Sequence, residues 1–404
     1  MKRRSLLISA GAAAMPIAAR AFGDDWGAEA GYPTGWGEPR RIFSHTQTRV
    51  GNYSGGFESM FPVHTISAGT KVSPLTPRPR DDISYGFTQR TPQDYLKAWP
   101  ITGLLIARKG EVWFEGYGFR RSAQMRMSGW SMSKSVTSLL LGICVDRGLI
   151  KSIDDRSDTY AKSLAGTLHG ETTIRNLMNM STGLALTGDQ LQDNAQFYER
   201  ALLGSDPDVV AALRDLNTRR EPQGIHFIYN DMAASAIGVV IREVTRKSLS
   251  EFAQDALWGP LGAEGNATWW TDSKAAEFNC IGFAATLRDW ARLGQLVAQR
   301  GRMNGAQVVS EAWIQECCSW GDKDSQVRVN YARPSTNGQI GGYKGMFWHL
   351  KSDGSRPIFS GFHGQRIYVD MPTETVVVQT CVDHNVQWRF DSFALFDAAV
   401  ALKS

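Results

Sequence analysis

The sequence predicts an α/β (α+β) fold in which a central antiparallel sheet is flanked by helices and interrupted by a helical insertion. Three observations predict it. Apolar, β-branched runs stand at both ends of the patterned chain, Ile101–Ala107 with Glu111–Tyr117 early and Gln365–Asp370 with Thr375–Thr380 late. Between residues 154 and 262 strand signals fade and helical spacing dominates. The chain has 404 residues, 42% hydrophobic and 21% charged, enough apolar material for one large or two medium domains with a full core.

The first residues stand apart from that fold. Lys2, Arg3 and Arg4 precede an apolar run from Leu6 to Ala19, and Ala19-Arg20-Ala21 offers a small-x-small cleavage pattern, so residues 1–21 are expected to be an export signal. The run is too short to cross a bilayer as a helix. Arg3-Arg4 followed by Ser5-Leu6-Leu7 suits a twin-arginine signal. This segment holds four basic residues and no acid, and without it the formal charge falls from +4 to zero. No basic stripe then remains for nucleic acid and no second long apolar run for a membrane anchor. The expectation is an exported protein, periplasmic or secreted, that acts on a small molecule, with its oligomeric state open. The five cysteines, Cys144, Cys280, Cys317, Cys318 and Cys381, are scattered, with no Cys-x-x-Cys and no His-x-x-x-His. Neither a disulfide framework nor a zinc site is expected, and no cofactor. Cys144 continues the helical stripe of Val136, Leu139, Leu140 and Ile143 and reads as a buried thiol.

Residues 22–94 are rich in glycine and proline, among them Gly51, Gly55, Gly56, Pro74, Pro77 and Pro79, and read as an extended, loop-rich wrapper. Residues 95–155 open the α/β domain. A hairpin turns at Arg108-Lys109-Gly110, and a helix follows from Ser131 to about Asp146, where Arg147-Gly148 stops it. Residues 156–262 form the insertion, with helices over Thr172–Met180, Asp206–Leu216 and Met232–Val244, the last striped by Ala236, Ile237, Val240 and Ile241. Residues 263–404 return to the sheet with two strands split by Met371-Pro372-Thr373 and end in a helix from about Phe390 to Leu402. Where sheet and insertion meet, a cleft is expected, and such interfaces favour ligands.

The chemistry starts at Ser131-Met132-Ser133-Lys134. Positions i and i+3 share a helix face, so the Ser131 hydroxyl and the Lys134 amine can share a proton, which activates a poor nucleophile. Composition alone supplies about one such spacing in a chain of this length, so the motif needs company. Tyr229, in Tyr229-Asn230-Asp231 just before an insertion helix, offers a phenol beside the lysine charge; the alternative is a core tyrosine with a satisfied hydroxyl. Trp130 and Trp348 are candidates to line a pocket.

In these segments the chain resembles the serine β-lactamase and penicillin-binding-protein superfamily. The branch in view holds class C β-lactamases, family VIII esterases, D-aminopeptidases and 6-aminohexanoate-dimer hydrolases. Gly129–Ser135 resembles the nucleophile motif and Tyr229-Asn230-Asp231 the Tyr-x-Asn motif. Thr173–Met178 with Ser181–Leu184, and Ala285–Gly294, resemble two further ordered segments. The resemblance covers about residues 95 to 400 and implies a β-lactamase/transpeptidase-like fold. It implies Ser131 as acylated nucleophile, Lys134 as its proton acceptor or the partner of the tyrosine, and Tyr229 as the proton shuttle. One oxyanion donor is then the Ser131 N–H. The other lies on the strand of the third motif, Gly361-Phe362-His363-Gly364-Gln365, with Phe362 the expected N–H.

Two departures bear on substrate. Asp231 stands where the family usually has asparagine, and a carboxylate there raises the pKa of Lys134 and shifts proton transfer toward Tyr229. The third motif lacks Lys-Thr-Gly, so a β-lactam carboxylate loses its usual partner; His363 is the candidate replacement cation, or else a histidine bonded to loop carbonyls. A small linear amide or ester is therefore the expected substrate, with Trp130, Asp231, Phe362 and His363 at its binding site. The alternatives are a β-lactamase, a D-Ala-D-Ala carboxypeptidase or D-aminopeptidase, or a binding module for cell-wall peptides or β-lactams without turnover.

Overall fold

The computed structural model describes residues 58, 60–187, 190–324, 340–382 and 388–403. The expected export signal and much of the wrapper lie outside these residues.

The strands in chain order are β1 (Val63–Ile66), β2 (Thr76–Pro77), β3 (Ile101–Arg108), β4 (Glu111–Tyr117), β5 (Arg126–Ser128), β6 (Ala267–Trp270) and β7 (Phe283–Thr286). A short hairpin, β8 (Arg302–Met303) and β9 (Ala306–Gln307), precedes β10 (Gly342–Lys344), β11 (Phe347–His349), β12 (Pro357–Ser360), β13 (Arg366–Asp370) and β14 (Thr375–Cys381). The helices used below are α1 (Pro92–Ala98), α2 (Met132–Asp146), α3 (Gln190–Tyr198), α4 (Val209–Asp215), α5 (Asp231–Thr245), α6 (Leu287–Ala298) and α7 (Trp388–Ala401).

The early and late strand runs meet in one eight-stranded sheet, ordered β10-β11-β12-β13-β14-β3-β4-β2. β3 is buried at every position because both of its faces are covered. Leu104 and Ile106 pack on one side with Tyr95 of α1 and Leu395 and Phe396 of α7, while Leu105 and Ala107 face the main core with Ile367 and Val376. α6 lies against that second face. A Cβ on its Gly294 would sit 2.6 Å from Val376 and 2.7 Å from Ile367, so only glycine allows this approach.

A second, four-stranded sheet, β1-β6-β7-β5, lies between this core and the helical segment. Its strands were not expected from sequence. Each has three or four residues, too short for an alternating period to register. The wrapper contributes β1, which pairs with β6 from Val63 opposite Trp270 to Ile66 opposite Ala267, and the expected loop-rich stretch also contains α1, opened by a Thr91–Asp94 capping box. Within the helical segment, α5 packs against α2 through Asn279, whose amide donates to the Ala234 carbonyl at 2.8 Å and whose carbonyl accepts from Thr137 at 3.2 Å. Among the described residues no helix is long and apolar enough to cross a membrane.

Candidate active site

α2 begins one residue after Ser131, which occupies the N-cap position. An N-cap serine ordinarily spends its hydroxyl on the helix's own N–H groups. This one makes no such bond. The turn before it satisfies those donors instead: the N–H groups of Met132 and Ser133 bond to the carbonyls of Gly129 and Trp130, and that of Lys134 to Ser131. The turn needs Trp130 at φ +49°, a left-handed conformation rare for an aromatic residue. The Ser131 Oγ thus accepts from Lys134 Nζ at 2.9 Å.

Lys134 is 1% exposed. Its Nζ also donates to the Cys280 carbonyl at 3.0 Å and is ion-paired with Asp231 Oδ1. An ammonium has three N–H donors and no acceptor; here Ser131 Oγ and the Cys280 carbonyl take two of them, and the Asp231 carboxylate stands as its counter-ion. Burial opposes the charge, but the Asp231 carboxylate and the Tyr229 phenol outweigh it, and the Lys134 pKa is raised.

Tyr229 and Asp231 flank the cap of α5. Asn230, in extended conformation at φ −151°, accepts the Ala233 N–H at 2.8 Å, which leaves Tyr229 just outside the helix and Asp231 in its first turn. The Tyr229 ring lies 5.0 Å from Lys134 Nζ, and its hydroxyl is close enough to Ser131 and Lys134 for both to lower its pKa. Trp348 stacks on that ring at 5.3 Å and Tyr343 meets it edge-on at 5.7 Å. Burial pushes the Tyr229 pKa up, Lys134 pulls it down and Asp231 pushes it up again, and the balance lies above the ordinary phenol value. The lysine charge alone therefore does not make the tyrosine a ready base, because burial and the Asp231 carboxylate together outweigh it.

The third motif departs from its expected place. Gly361–Gln365 is a tight turn between β12 and β13, where a strand was expected, with His363 at φ +57° and Gly364 at φ +92°. The Gln365 side chain donates to the Phe362 and His363 carbonyls, and Arg366 Nη1 donates to those of Gly361 and Gln365 at 2.5 and 2.6 Å. In a trans peptide the C=O and the next N–H point oppositely, so Arg366, by holding the Gly361 oxygen, turns the Phe362 N–H away from itself. The turn also meets the nucleophile loop backbone to backbone. A Cβ on Gly361 would lie 2.1 Å from the Gly129 oxygen, and one on Gly129 would lie 2.4 Å from the Trp290 ring.

The structure thus brings Ser131, Lys134, Tyr229 and Asp231 into one connected cluster and sets the Phe362 turn beside it. Three expected substrate contacts are placed differently. Trp130 is 1% exposed, its ring edge-on to Phe362, His363 and Trp270, so it supports the turn from beneath. His363 is 2% exposed and packed on that same ring, and Asp231, 1% exposed, faces the lysine. Trp348, half-buried, has the exposed share that these residues lack.

Sequence reasoning missed the Cys280 carbonyl, Tyr343, Arg366, and two residues of α3, Asn194 and Tyr198, that hold Asp231. A backbone carbonyl carries no side-chain signal; the i, i+4 spacing of Asn194 and Tyr198 was the one available cue. A cavity of about 710 Å³ lined by His64, Arg242, Arg246 and Lys274 shares no residue with this cluster. Among the described residues, no group of three or more His, Cys, Asp or Glu could hold a metal ion.

Comparison with known proteins follows the same lines. The beta-lactamase family model matches residues 97–379. A 6-aminohexanoate-dimer hydrolase of Paenarthrobacter ureafaciens is 24% identical over 328 residues, 79% of this chain and 82% of that protein. Among solved structures, "Putative 6-aminohexanoate-dimer hydrolase from Bacillus anthracis" superposes with a TM-score of 0.74 at 20% identity, over 91% of this chain and 96% of that one. A family VIII carboxylesterase gives a TM-score of 0.57 at 16% identity, over 76% and 95%. At these identities the structural likeness speaks for the fold.

Proposed function

Because the chain belongs to the beta-lactamase family, and because Lys134 bridges Ser131 to Asp231 beside Tyr229, we propose that it is a serine hydrolase that forms an acyl-enzyme on a small linear amide or ester. The observation that carries the reading is the Ser131 hydroxyl, uncapped and bonded to a buried lysine with a tyrosine hydroxyl on its other side. Tyr229, in its phenolate form, takes the Ser131 proton as Oγ attacks the carbonyl carbon. The oxyanion is met by the N–H groups of Ser131 and Phe362, and donors of this kind contribute roughly 3 to 4 kcal/mol each. Collapse expels the alcohol or amine with the proton returned by Tyr229, and a water then repeats the sequence on the acyl-enzyme. Lys134 stays charged throughout and stabilises the phenolate.

A linear amide or ester without a carboxylate beside the scissile bond is favoured over a β-lactam because the cations near the third motif are otherwise engaged: Arg366 holds loop carbonyls and His363 is buried. The likeness to a 6-aminohexanoate-dimer hydrolase points the same way. An exported location, with residues 1–21 removed, completes the proposal. In a panel of a p-nitrophenyl ester, a 6-aminohexanoate dimer, nitrocefin and a D-Ala-D-Ala peptide, the ester or the linear amide is expected to turn over. Ser131→Ala is expected to lower kcat/KM at least about a thousandfold. Unchanged hydrolysis by Ser131→Ala rejects the proposal, and failure of wild type to label with a fluorophosphonate favours a binding module.

A further inference from the structure

The insertion helix α3 carries no recognised motif, yet two of its residues reach the active site from behind. Asn194 Oδ1 accepts the Asp231 N–H at 3.2 Å, and the Tyr198 hydroxyl donates to Asp231 Oδ2. The two are one helical turn apart, so a single face of α3 grips both the backbone and the carboxylate of Asp231. The other carboxylate oxygen, Oδ1, is the one paired with Lys134. Tyr198 is itself wedged against Phe278, with ring centroids 5.9 Å apart, and Phe278 lies two residues before the Cys280 carbonyl that takes another proton of Lys134.

We propose that Tyr198 is a positioning residue. By donating to Asp231 Oδ2 it holds that buried carboxylate turned toward Lys134, so that Lys134 remains an ammonium and Tyr229 is the one group of the site that exchanges protons. The inference rests on the hydrolase reading for its role in turnover, but the geometry behind it stands without that reading. A buried carboxylate oxygen stripped of its donor carries a large desolvation cost. Asp231 would then compensate by pulling harder on the lysine, and the lysine charge would stabilise a Tyr229 phenolate less. Other groups also face Tyr229: the Tyr343 phenol on β10, Arg366 on β13, and Tyr198 itself. Neither Tyr343 nor Arg366 is hydrogen-bonded to Asp231, and a direct effect of Tyr198 on Tyr229 would persist without the Asp231 carboxylate, so the Asp231→Asn background separates it from the route through Asp231 and Lys134.

The test reads Tyr229 directly. Protein labelled with [13Cζ]tyrosine, its Tyr229 signal assigned with Tyr229→Phe, is titrated by NMR through the alkaline range. Tyr198→Phe is expected to raise the Tyr229 midpoint by about one pH unit, and Asp231→Asn to lower it by about as much. In the Asp231→Asn background, Tyr198→Phe is expected to move it by less than about a third of a unit. Replacing Tyr198 with 3-fluorotyrosine keeps its shape while strengthening the donor, and is expected to lower the midpoint; that variant decides the matter if Tyr198→Phe does not fold. Midpoints unmoved by either Tyr198 variant, or a Tyr198→Phe shift equal in both backgrounds, overturn the proposal. The readout needs no turnover, so it holds even if Ser131→Ala were to reject the hydrolase reading.

Discussion

At the scale of single residues, the site turns on one substitution that the sequence displays openly, Asp231 in place of the family's asparagine. The carboxylate does more than raise the lysine pKa. Burial against Trp348 and Tyr343 raises Tyr229 above its ordinary value, and the Asp231 carboxylate, by offsetting part of the lysine charge, keeps it there. A phenol that must lose its proton to act as base then works better as pH rises, and Lys134, raised in turn, does not lose its charge over that range. The expected kcat/KM profile therefore climbs into the alkaline region. Asp231→Asn is expected to move that limb down by about one pH unit, measured with an ester whose own hydrolysis is subtracted. Ser131, Lys134, Tyr229 and Asp231 were all legible because their chemistry is written in side chains at motif spacing. Tyr198 was not, because nothing in Gln190–Tyr198 tells a tyrosine bonded to a distant carboxylate from one filling a core.

At the scale of elements, α2 ends at Asp146 as its Arg147-Gly148 stop suggests, and β3, β4, β13 and β14 fall within a residue or so of their apolar runs. The third motif shows where such reading fails. Its residues look like a strand continuing toward Arg366, but left-handed His363 and Gly364 and the clasp of Gln365 and Arg366 bend them into a turn, and Gln365 is also pinned by the Cys381 carbonyl 16 positions on, which local spacing does not show. Gly361→Ala is expected to lower kcat/KM about a hundredfold, because a methyl 2.1 Å from the Gly129 oxygen must push the nucleophile loop and the Phe362 turn apart, and displacement of about 1 Å is enough for such a loss. The split between kcat and KM checks the cause, since a misplaced oxyanion donor acts on kcat. The short strands β5, β6 and β7 escaped notice for a different reason. Three or four residues buried on both sides leave no period to detect.

At the scale of the whole molecule, the fold buries ionisable groups outside the catalytic cluster, and these weaken it in acid. Burial lowers His169, whose Nε2 lies 3.0 Å from the Leu216 carbonyl, to about 4, and His349 to about 3, from an ordinary 6.5. Below pH 6.5 the unfolded chain takes up protons that the folded one refuses, so stability falls as pH drops from about 6.5 toward 4, and is unaffected by these groups above that range. Urea unfolding at stepped pH is expected to show this slope, and His169→Gln, uncharged at every pH, to flatten it. The eight-stranded sheet has another consequence. β3 finds its neighbour β14 far along the chain, with Arg108 bonded to Thr375 across 267 positions. Such long-range closure is slow. A growing chain has its nucleophile helix in hand long before β13 and β14 exist to anchor the Phe362 turn. Ser131 is made 231 residues before Phe362, so the proposed nucleophile and the proposed oxyanion donor can meet only after that whole stretch has been added.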